Sequence, residues 1–324
     1  MRDAHMIAIP VSDFATGPDL TVDIFIRLSE DRYLCVAKAG QKTQIMELTA
    51  FKKEKLTTLY IRKEDFQVYV EKTIALTEAA LRLVKDDAKK TKLIRLASQS
   101  VFQELDKMGP SKEAVAHAKL VCEMTMSFVS STPRLSALIS SLQNGNDWVL
   151  NHSLATSAFC VMLGKELGWL QAAILEKLAL GGLLHNTGMR EIPVEVLNKP
   201  RAQYTQEELA LYETHPYRGM ILLQSVPYIP DDVVACVYEH HETASGQGFP
   251  RRLRDLRMNP LGKVVACAAQ YAELLIINPN CAAPRTPEQA MQYIQDIMGQ
   301  PFNKDVFKAL QKLVSKDNKN QEAA

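Results

Sequence analysis

The chain has 324 residues and a formal net charge of +1, with 47% of its residues hydrophobic and 23% charged. A chain of this length and composition can bury a large core and favours two domains over one. Because the charge is balanced and the apolar runs are shorter than the roughly 18–20 residues of a membrane span, neither a nucleic acid polymer nor a membrane is expected as a partner.

The first part of the chain has the pattern of short strands. Thr21–Leu28 alternates apolar and polar side chains for much of its length, as a half-buried strand does. Arg32–Val36 resumes an extended pattern after a polar turn, and Leu59–Ile61 is a third short candidate. The pattern predicts a small α+β accessory domain over residues 1–70.

The pattern then becomes helical. Apolar residues recur at steps of three and four from Phe66 to Leu83, which predicts a long amphipathic helix. Pro110 and Ser111 predict the start of another helix, with Ser111 as its N-cap. We assign residues 71–135 to a helical connector.

Residues 136–324 are predicted to form an all-α domain. Helical segments follow one another after Asn146, with Pro- and Gly-containing loops between them. The predicted fold class is therefore an α+β N-terminal module followed by an all-α domain.

The cysteines and the start of the chain indicate the compartment. The six cysteines are scattered without a C-x-x-C pair, which argues against a disulfide framework or a zinc ribbon and fits a reducing environment. Met1–Pro10 lacks the apolar segment of a signal peptide. We therefore expect a cytoplasmic protein.

Five of the seven histidines lie between residues 152 and 241, each near a predicted helix end. They are His152, His185, His215, His240 and His241. Imidazole is the commonest protein ligand for first-row divalent metals, and a catalytic site of that kind also needs carboxylates. The spacing alone leaves two interpretations open, a metal site or ordinary histidines of the core and surface.

Several segments match one known family in order. Residues 182–193, GLLHNTGMREIP, resemble the GLLHDIGKxxIP segment of HD-GYP proteins without a gap, and LNKP follows at 197–200. THP at 214–216 with Gly219, and HHE through GQGFP at 240–250, resemble two further segments. The resemblance covers roughly residues 140–310 and identifies the chain as a member of that family.

The resemblance implies an HD-type helical fold and hydrolysis of cyclic di-GMP at a site of two or three metals, often iron or manganese. In such a site the metals polarise the phosphoryl group and activate water. By position, the resemblance assigns the metal ligands to the five histidines, His152, His185, His215, His240 and His241.

The chain departs from the family where charge is needed. The signature aspartate is Asn186, a neutral amide that can bind a cation only through its carbonyl oxygen. The second liganding aspartate falls on Ala269, and the lysine of the first segment is Met189. The glycines and prolines that shape the turns are kept, which is the pattern of a fold retained after catalysis is lost.

Further departures concern the nucleotide. The GYP tyrosine is Phe249, and the basic residues that face substrate phosphates fall near Asn278 and Cys281. Arg251 and Arg252 follow the Gly-Phe-Pro turn and are candidate nucleotide contacts, with a solvated loop as the alternative. Binding of cyclic di-GMP is therefore expected to be weak or absent.

Two rescues of the metal site are conceivable. Glu191, Glu242 or Glu273 could enter the ligand set, although we expect them to be solvated or bonded to local backbone. A single-ion site could use imidazoles alone, such as those of His215, His240 and His241. A divalent metal is thus possible, and so is none.

These observations predict a degenerate HD-GYP-like signalling or interaction module with little or no cyclic di-GMP hydrolysis. The alternative is a divergent metal-dependent phosphodiesterase with a remodelled metal site. A signalling protein or a second copy of the chain is the possible partner.

Overall fold

The structure is a computed structural model that describes residues 5–11, 20–40, 57–131, 139–140, 142 and 147–322. The chain forms two compact units, one from Met1–Val84 with Leu96–Gly109 and one from Lys85–Arg95 with Pro110–Ala324. A small antiparallel sheet precedes a helical region, which confirms the predicted fold class. The two predicted domain limits, after residues 70 and 135, stay predictions, and the second of them lies outside the described residues.

The sheet of the first unit has four strands in the order β1-β4-β2-β3. Their bounds are β1 (Met6–Pro10), β2 (Ile24–Ser29), β3 (Arg32–Ala37) and β4 (Thr58–Arg62). Leu59 and Ile61 of β4 are fully buried, and Ile61 pairs with Ile7 of β1. Alternation predicted β2, an extended pattern predicted β3 and a short apolar segment predicted β4, whereas β1 was not predicted.

Two long helices follow the sheet in the chain, α1 (Phe66–Leu83) and α2 (Asp87–Met108). The first half of the apolar stripe that predicted α1 is buried, at Phe66, Val70 and Ile74, whereas Leu83 at its end is exposed. A break at residues 84–86 separates the two helices.

The second unit is helical. Its helices beyond α2 are α3 (Lys112–Ser131), α4 (Trp148–Glu166), α5 (Ala172–Leu184), α6 (Val194–Leu197), α7 (Gln206–Tyr212), α8 (His215–Gln224), α9 (Asp231–Glu239), α10 (Pro260–Leu275), α11 (Pro287–Gln292) and α12 (Lys304–Glu322). Ser111 caps α3 as predicted, since its hydroxyl accepts a hydrogen bond from the Ala114 amide at 3.0 Å. None of the described helices is both long and apolar enough to cross a membrane.

Helix α4 lies at the centre of this unit. Every residue from Leu150 to Gly164 is buried, which is typical of a helix that is packed on all sides. It packs against α5 and α10, and α9 packs against both of those helices. Helix α5 comes so close to α4 that a Cβ atom at Gly182 would lie 2.8 Å from the Cα atom of Ser157.

A second close approach holds α8 against the turn that follows α5. A Cβ atom at Gly188 would lie 2.0 Å from the carbonyl oxygen of His215 and 2.5 Å from the amide nitrogen of Gly219. Only glycine allows this contact at position 188, because any side chain would overlap the backbone of α8. The contact sets the start of α8, and therefore His215, beside the end of α5.

Candidate functional site

The fold brings the five predicted histidines together in one cluster, which we call the imidazole cluster (His152, His185, His215, His240 and His241). His152 lies in α4, His185 follows α5, His215 begins α8, and His240 and His241 follow α9. The ring centre of His185 lies 5.0 Å from that of His152 and 4.8 Å from that of His240. The ring centre of His215 lies 5.1 Å from that of His240 and 5.0 Å from that of His241.

Three of these imidazoles are oriented by the backbone of their own helical turn. The Nδ1 atoms of His185, His215 and His240 each lie 2.7 Å from a carbonyl oxygen three residues earlier, those of Gly182, Tyr212 and Val237. A carbonyl oxygen can only accept a hydrogen bond, so Nδ1 carries the proton in each ring. The Nε2 atom of each neutral ring therefore presents a lone pair.

The two close imidazole pairs differ in how these lone pairs are satisfied. Nε2 of His152 lies 3.1 Å from Nε2 of His185, and His152 can donate its Nε2 proton there. Nε2 of His215 lies 3.0 Å from Nε2 of His240, and both of these atoms are acceptors. Two facing acceptors can share a cation, and neither can donate a hydrogen bond to the other.

Burial keeps these rings neutral. It lowers the pKa of His152, His185 and His215 to about 3, with neighbouring positive charge as a further cause for His152. Burial and then the adjacent histidines lower the pKa of His240 and His241 well below the usual value. The rings of His215 and His240 are thus neutral, and their facing Nε2 atoms can offer two lone pairs to a metal ion.

The donor set fits one divalent ion. One ligand atom from each of His215, His240 and His241 lies within 4.8 Å of the others. Two nitrogens that each bind one ion at roughly 2.0–2.1 Å can approach as closely as those of His215 and His240 do. The buried side-chain oxygen of Asn186 has no hydrogen-bond partner among the described residues, so it offers a neutral oxygen ligand as well.

A cavity of about 70 Å³ adjoins the cluster. Four of the imidazoles line it, and its other lining includes what we call the α10 side, namely Ala269, Gln270, Glu273, Asn278 and Asn280. Asn186 and Met189 also line the cavity. Four positions that depart from the family pattern, Asn186, Met189, Ala269 and Asn278, therefore line this cavity, whereas Phe249 and Cys281 are not among its described lining residues.

The carboxylates near this space are already engaged. Both oxygens of Glu242 accept backbone hydrogen bonds, from Arg251 at 2.7 Å and Leu253 at 2.8 Å. Glu191 is ion-paired with Arg218 at 2.8 Å. The expectation of local backbone bonding is correct for Glu242, whereas Glu191 is held by a side chain.

Phe249 and the two arginines after it lie differently with respect to the cavity. The Phe249 ring stacks on His241 with centres 4.4 Å apart and an angle of 20° between the planes. Arg251 places its guanidinium 5.4 Å from the ring centre of Tyr238. Arg252 lines a separate surface depression beside Gly246–Pro250, so neither arginine is among the described residues that line the cavity.

Sequence reasoning missed a charged group beside the cluster. Arg201 forms an ion pair with Glu273 and donates a hydrogen bond to the Tyr212 hydroxyl at 3.2 Å. That hydroxyl lies 3.4 Å from Nε2 of His241. The signal available in the sequence was an arginine directly after LNKP at 197–200, but its partners lie 11 and 72 residues away.

Comparisons with known proteins agree with this geometry. The family model described as HD domain matches residues 136–306. A cyclic di-GMP phosphodiesterase of Pseudomonas aeruginosa is 27% identical over 220 residues, which cover 68% of this chain and 52% of that protein. A cyclic di-GMP phosphodiesterase of Thermotoga maritima is 28% identical over 160 residues, covering 46% and 43% of the two chains.

Two further relatives extend the comparison. A 3'3'-cGAMP-specific phosphodiesterase of Vibrio cholerae is 28% identical over 134 residues, which cover 41% of this chain and 30% of that protein. The chain thus spans about half or less of the curated relatives it matches. The structure of an HDG"Y"P protein from Bdellovibrio bacteriovorus superposes with a TM-score of 0.70 at 22% identity, covering 96% of this chain and 99% of that one. That match shows a shared fold.

Proposed function

The chain belongs to the HD domain family, and from that membership we propose that it acts as a signalling or interaction module with little or no cyclic di-GMP hydrolysis. One observation carries the proposal. The carboxylates among the described residues that line the cavity are Glu242 and Glu273, and each is held by other protein groups. No free carboxylate remains there to bridge two metal ions.

The lost ligands explain why hydrolysis should be weak. A two-metal site activates water and stabilises the leaving oxygen with both ions, and anionic bridging ligands offset the charge of the pair. Asn186 and Ala269 supply no negative charge at the positions where the family has aspartates. His215, His240 and His241 would hold one ion, iron or manganese by resemblance, which when bound would polarise a phosphoryl group.

The size of the cavity supports weak or absent binding of the nucleotide. Pockets for drug-sized ligands enclose roughly 300–1,000 Å³, and this cavity encloses about 70 Å³. Asn278 and Asn280 are neutral, and Asn278 directs its amide to the carbonyl oxygens of Glu273 and Ile276. We propose that the functional partner is a signalling protein or a second copy of the chain.

A hydrolysis assay tests this proposal. We expect wild-type protein loaded with Mn²⁺ to convert cyclic di-GMP at the rate of a metal blank. The double variant Asn186→Asp with Ala269→Asp restores two carboxylates, and we expect at least tenfold faster turnover. The matched control is the single variant Ala269→Asn, in which Asn186 is unchanged and the new side chain adds similar volume without charge.

Turnover by the wild type that a chelator or His185→Ala abolishes would contradict the proposal and support the divergent phosphodiesterase. Elemental analysis gives an independent measure, since we expect at most one transition-metal ion per chain. Two ions per chain would also favour the enzyme.

A further inference from the structure

A surface depression of about 550 Å³ lies apart from the cavity of the imidazole cluster. We call it the α8 depression. Glu213 and Tyr217 line it from the junction of α7 and α8, and Gly246–Pro250 and Arg252 line it from the loop that follows α9. The cavity beside the imidazole cluster measures only about 70 Å³. The α8 depression is therefore large enough to admit several side chains of another molecule.

The α8 side of the depression carries large apolar side chains that face solvent. Tyr217 and Ile221 are 49% and 46% exposed, and they share one face of α8 because they lie four residues apart. The ring of Tyr238 lies beside that of Tyr217 with centres 6.1 Å apart, and the guanidinium of Arg251 lies over Tyr238. A contiguous apolar patch next to a depression is typical of a surface that another protein covers.

The depression also carries two opposite charges that are not used within the chain. The charged residues among its described lining are Glu213 and Arg252. Neither side chain forms an ion pair or a hydrogen bond with another described residue, whereas the nearby Arg218 is ion-paired with Glu191 at 2.8 Å. One free anion and one free cation leave the depression electrically balanced. A strongly acidic or strongly basic partner is therefore not favoured there.

The backbone holds Arg252 in a fixed and unfavourable conformation. Its φ is +54°, in the left-handed region that costs free energy for any residue with a side chain. Buried Glu242 accepts hydrogen bonds from the amides on both sides of it, those of Arg251 at 2.7 Å and Leu253 at 2.8 Å. The loop thus keeps the Arg252 side chain exposed at the depression at a cost to stability. Backbone strain that surrounding contacts maintain is a pointer to function.

We propose that a second copy of the chain docks on the α8 depression through a twofold interface, in which Glu213 of each copy pairs with the partner's Arg252. A twofold axis brings one surface against itself, so two free opposite charges on that surface complement each other twice. Tyr217 and Ile221 supply the apolar part of the interface. The net charge of +1 gives little repulsion between copies. The inference rests on the proposed function and selects the second copy as the partner.

Sedimentation equilibrium of the full chain over a series of concentrations tests the inference, and we expect a reversible dimer. Arg252→Glu and Glu213→Arg each place like charges opposite each other at both contacts, and each should weaken the dimer by about tenfold or more. An equimolar mixture of these two variants restores both opposite-charge contacts, so the mixed dimer should form within about threefold of the wild-type affinity. Lys312→Glu is the control, because it reverses an exposed charge of α12 outside the depression.

Arg252→Gly separates docking from a structural role. It removes the side chain and relieves the left-handed backbone, so the dimer should weaken while the stability to denaturant is kept or rises. A wild-type chain that stays monomeric at every concentration overturns the inference. So does a dimer that the charge variants leave unchanged, or a mixture that associates no better than either variant alone. Hydrolysis is not measured in this experiment, so failure of the proposed function shows separately in the turnover assay.

Discussion

The imidazole cluster and the α10 side border the same cavity, and they differ in what their polar groups face. In the cluster, three rings are anchored to backbone at 2.7 Å. The free nitrogens of His215 and His240 face each other, and that of His185 faces His152. On the α10 side, the Glu273 carboxylate is ion-paired with Arg201 and accepts hydrogen bonds from Gln270 and Asn280, so protein groups already neutralise and satisfy it. One side is organised to receive a cation and the other is satisfied without any ligand.

The difference teaches that ligand geometry and ligand charge can be lost separately. The geometry of the cluster depends on helix ends and on close packing, which the whole domain needs for stability. The negative charge that the family pattern places at two cavity-lining positions is absent here, because those positions are Asn186 and Ala269. Substitutions can therefore remove the second property and leave the first intact.

The largest effect should come from breaking the contact that positions the cluster. Gly188→Ala would drive a methyl group into the backbone of α8, and we expect a loss of about 3 kcal/mol or more in the free energy of unfolding. Denaturant unfolding measures this change. Gly168→Ala is the control, because a Cβ atom at position 168 would meet no atom within 4 Å. The positive φ of +80° should be the only source of destabilisation there, and we expect it to cost about 1–2 kcal/mol. Equal losses in the two variants would show that the Gly188 contact is not tight.

The second largest effect should come from acid, which destabilises the protein through the buried histidines of the imidazole cluster. The folded-state pKa of His152, His185 and His215 is about 3, below the usual 6.5 or so of an unfolded chain. Below about pH 6.5 these histidines become protonated in the unfolded chain but stay neutral in the folded chain. The stability that they contribute is therefore complete above that pH and is lost progressively towards pH 3. We expect a loss of about 1.4 kcal/mol per pH unit for each such histidine in metal-free protein.

Denaturant unfolding at several pH values checks this slope. His152→Gln should make the slope shallower by one histidine's share. A wild-type stability that is flat between pH 7 and pH 5 would contradict neutral, buried imidazoles.

The smallest effect concerns the helix that carries the α10 side. Asn259 caps α10 by accepting hydrogen bonds from Leu261 at 2.8 Å and Gly262 at 3.4 Å, and it donates to Asp232 at 3.0 Å. We expect Asn259→Ala to cost about 1 kcal/mol of stability, while Asn259→Ser keeps a capping oxygen and costs less than half of that. Mn²⁺ affinity should not change in either variant. A weaker affinity would mean that the two sides are coupled through α10.

Much of the fold was predictable because its signals are local. Alternation located β2 to within a few residues, and short extended patterns located β3 and β4. The three- and four-residue spacing located α1. The order β1-β4-β2-β3 was not predictable, since it pairs the first strand with the last and depends on contacts far apart in the chain.

The candidate site was predictable to a different degree on each side. Motif order assigned all five histidines, and the structure gathers them in one cluster. The pairing of Arg201 with Tyr212 and Glu273 could not be predicted, because these residues belong to three separate elements that tertiary packing brings together. Glu273 was weighed as a metal ligand, and its ion pair with Arg201 was not foreseen.

The anchoring of His185, His215 and His240 has a consequence for sequence drift. Each ring is oriented by a carbonyl oxygen three residues earlier, and every amino acid supplies that oxygen. The orientation of the rings is therefore robust to mutation at the anchoring positions as long as the helical turn itself persists. A carboxylate ligand has no such protection, because a single substitution removes it, so the orientation of these rings tolerates substitution better than a carboxylate ligand does.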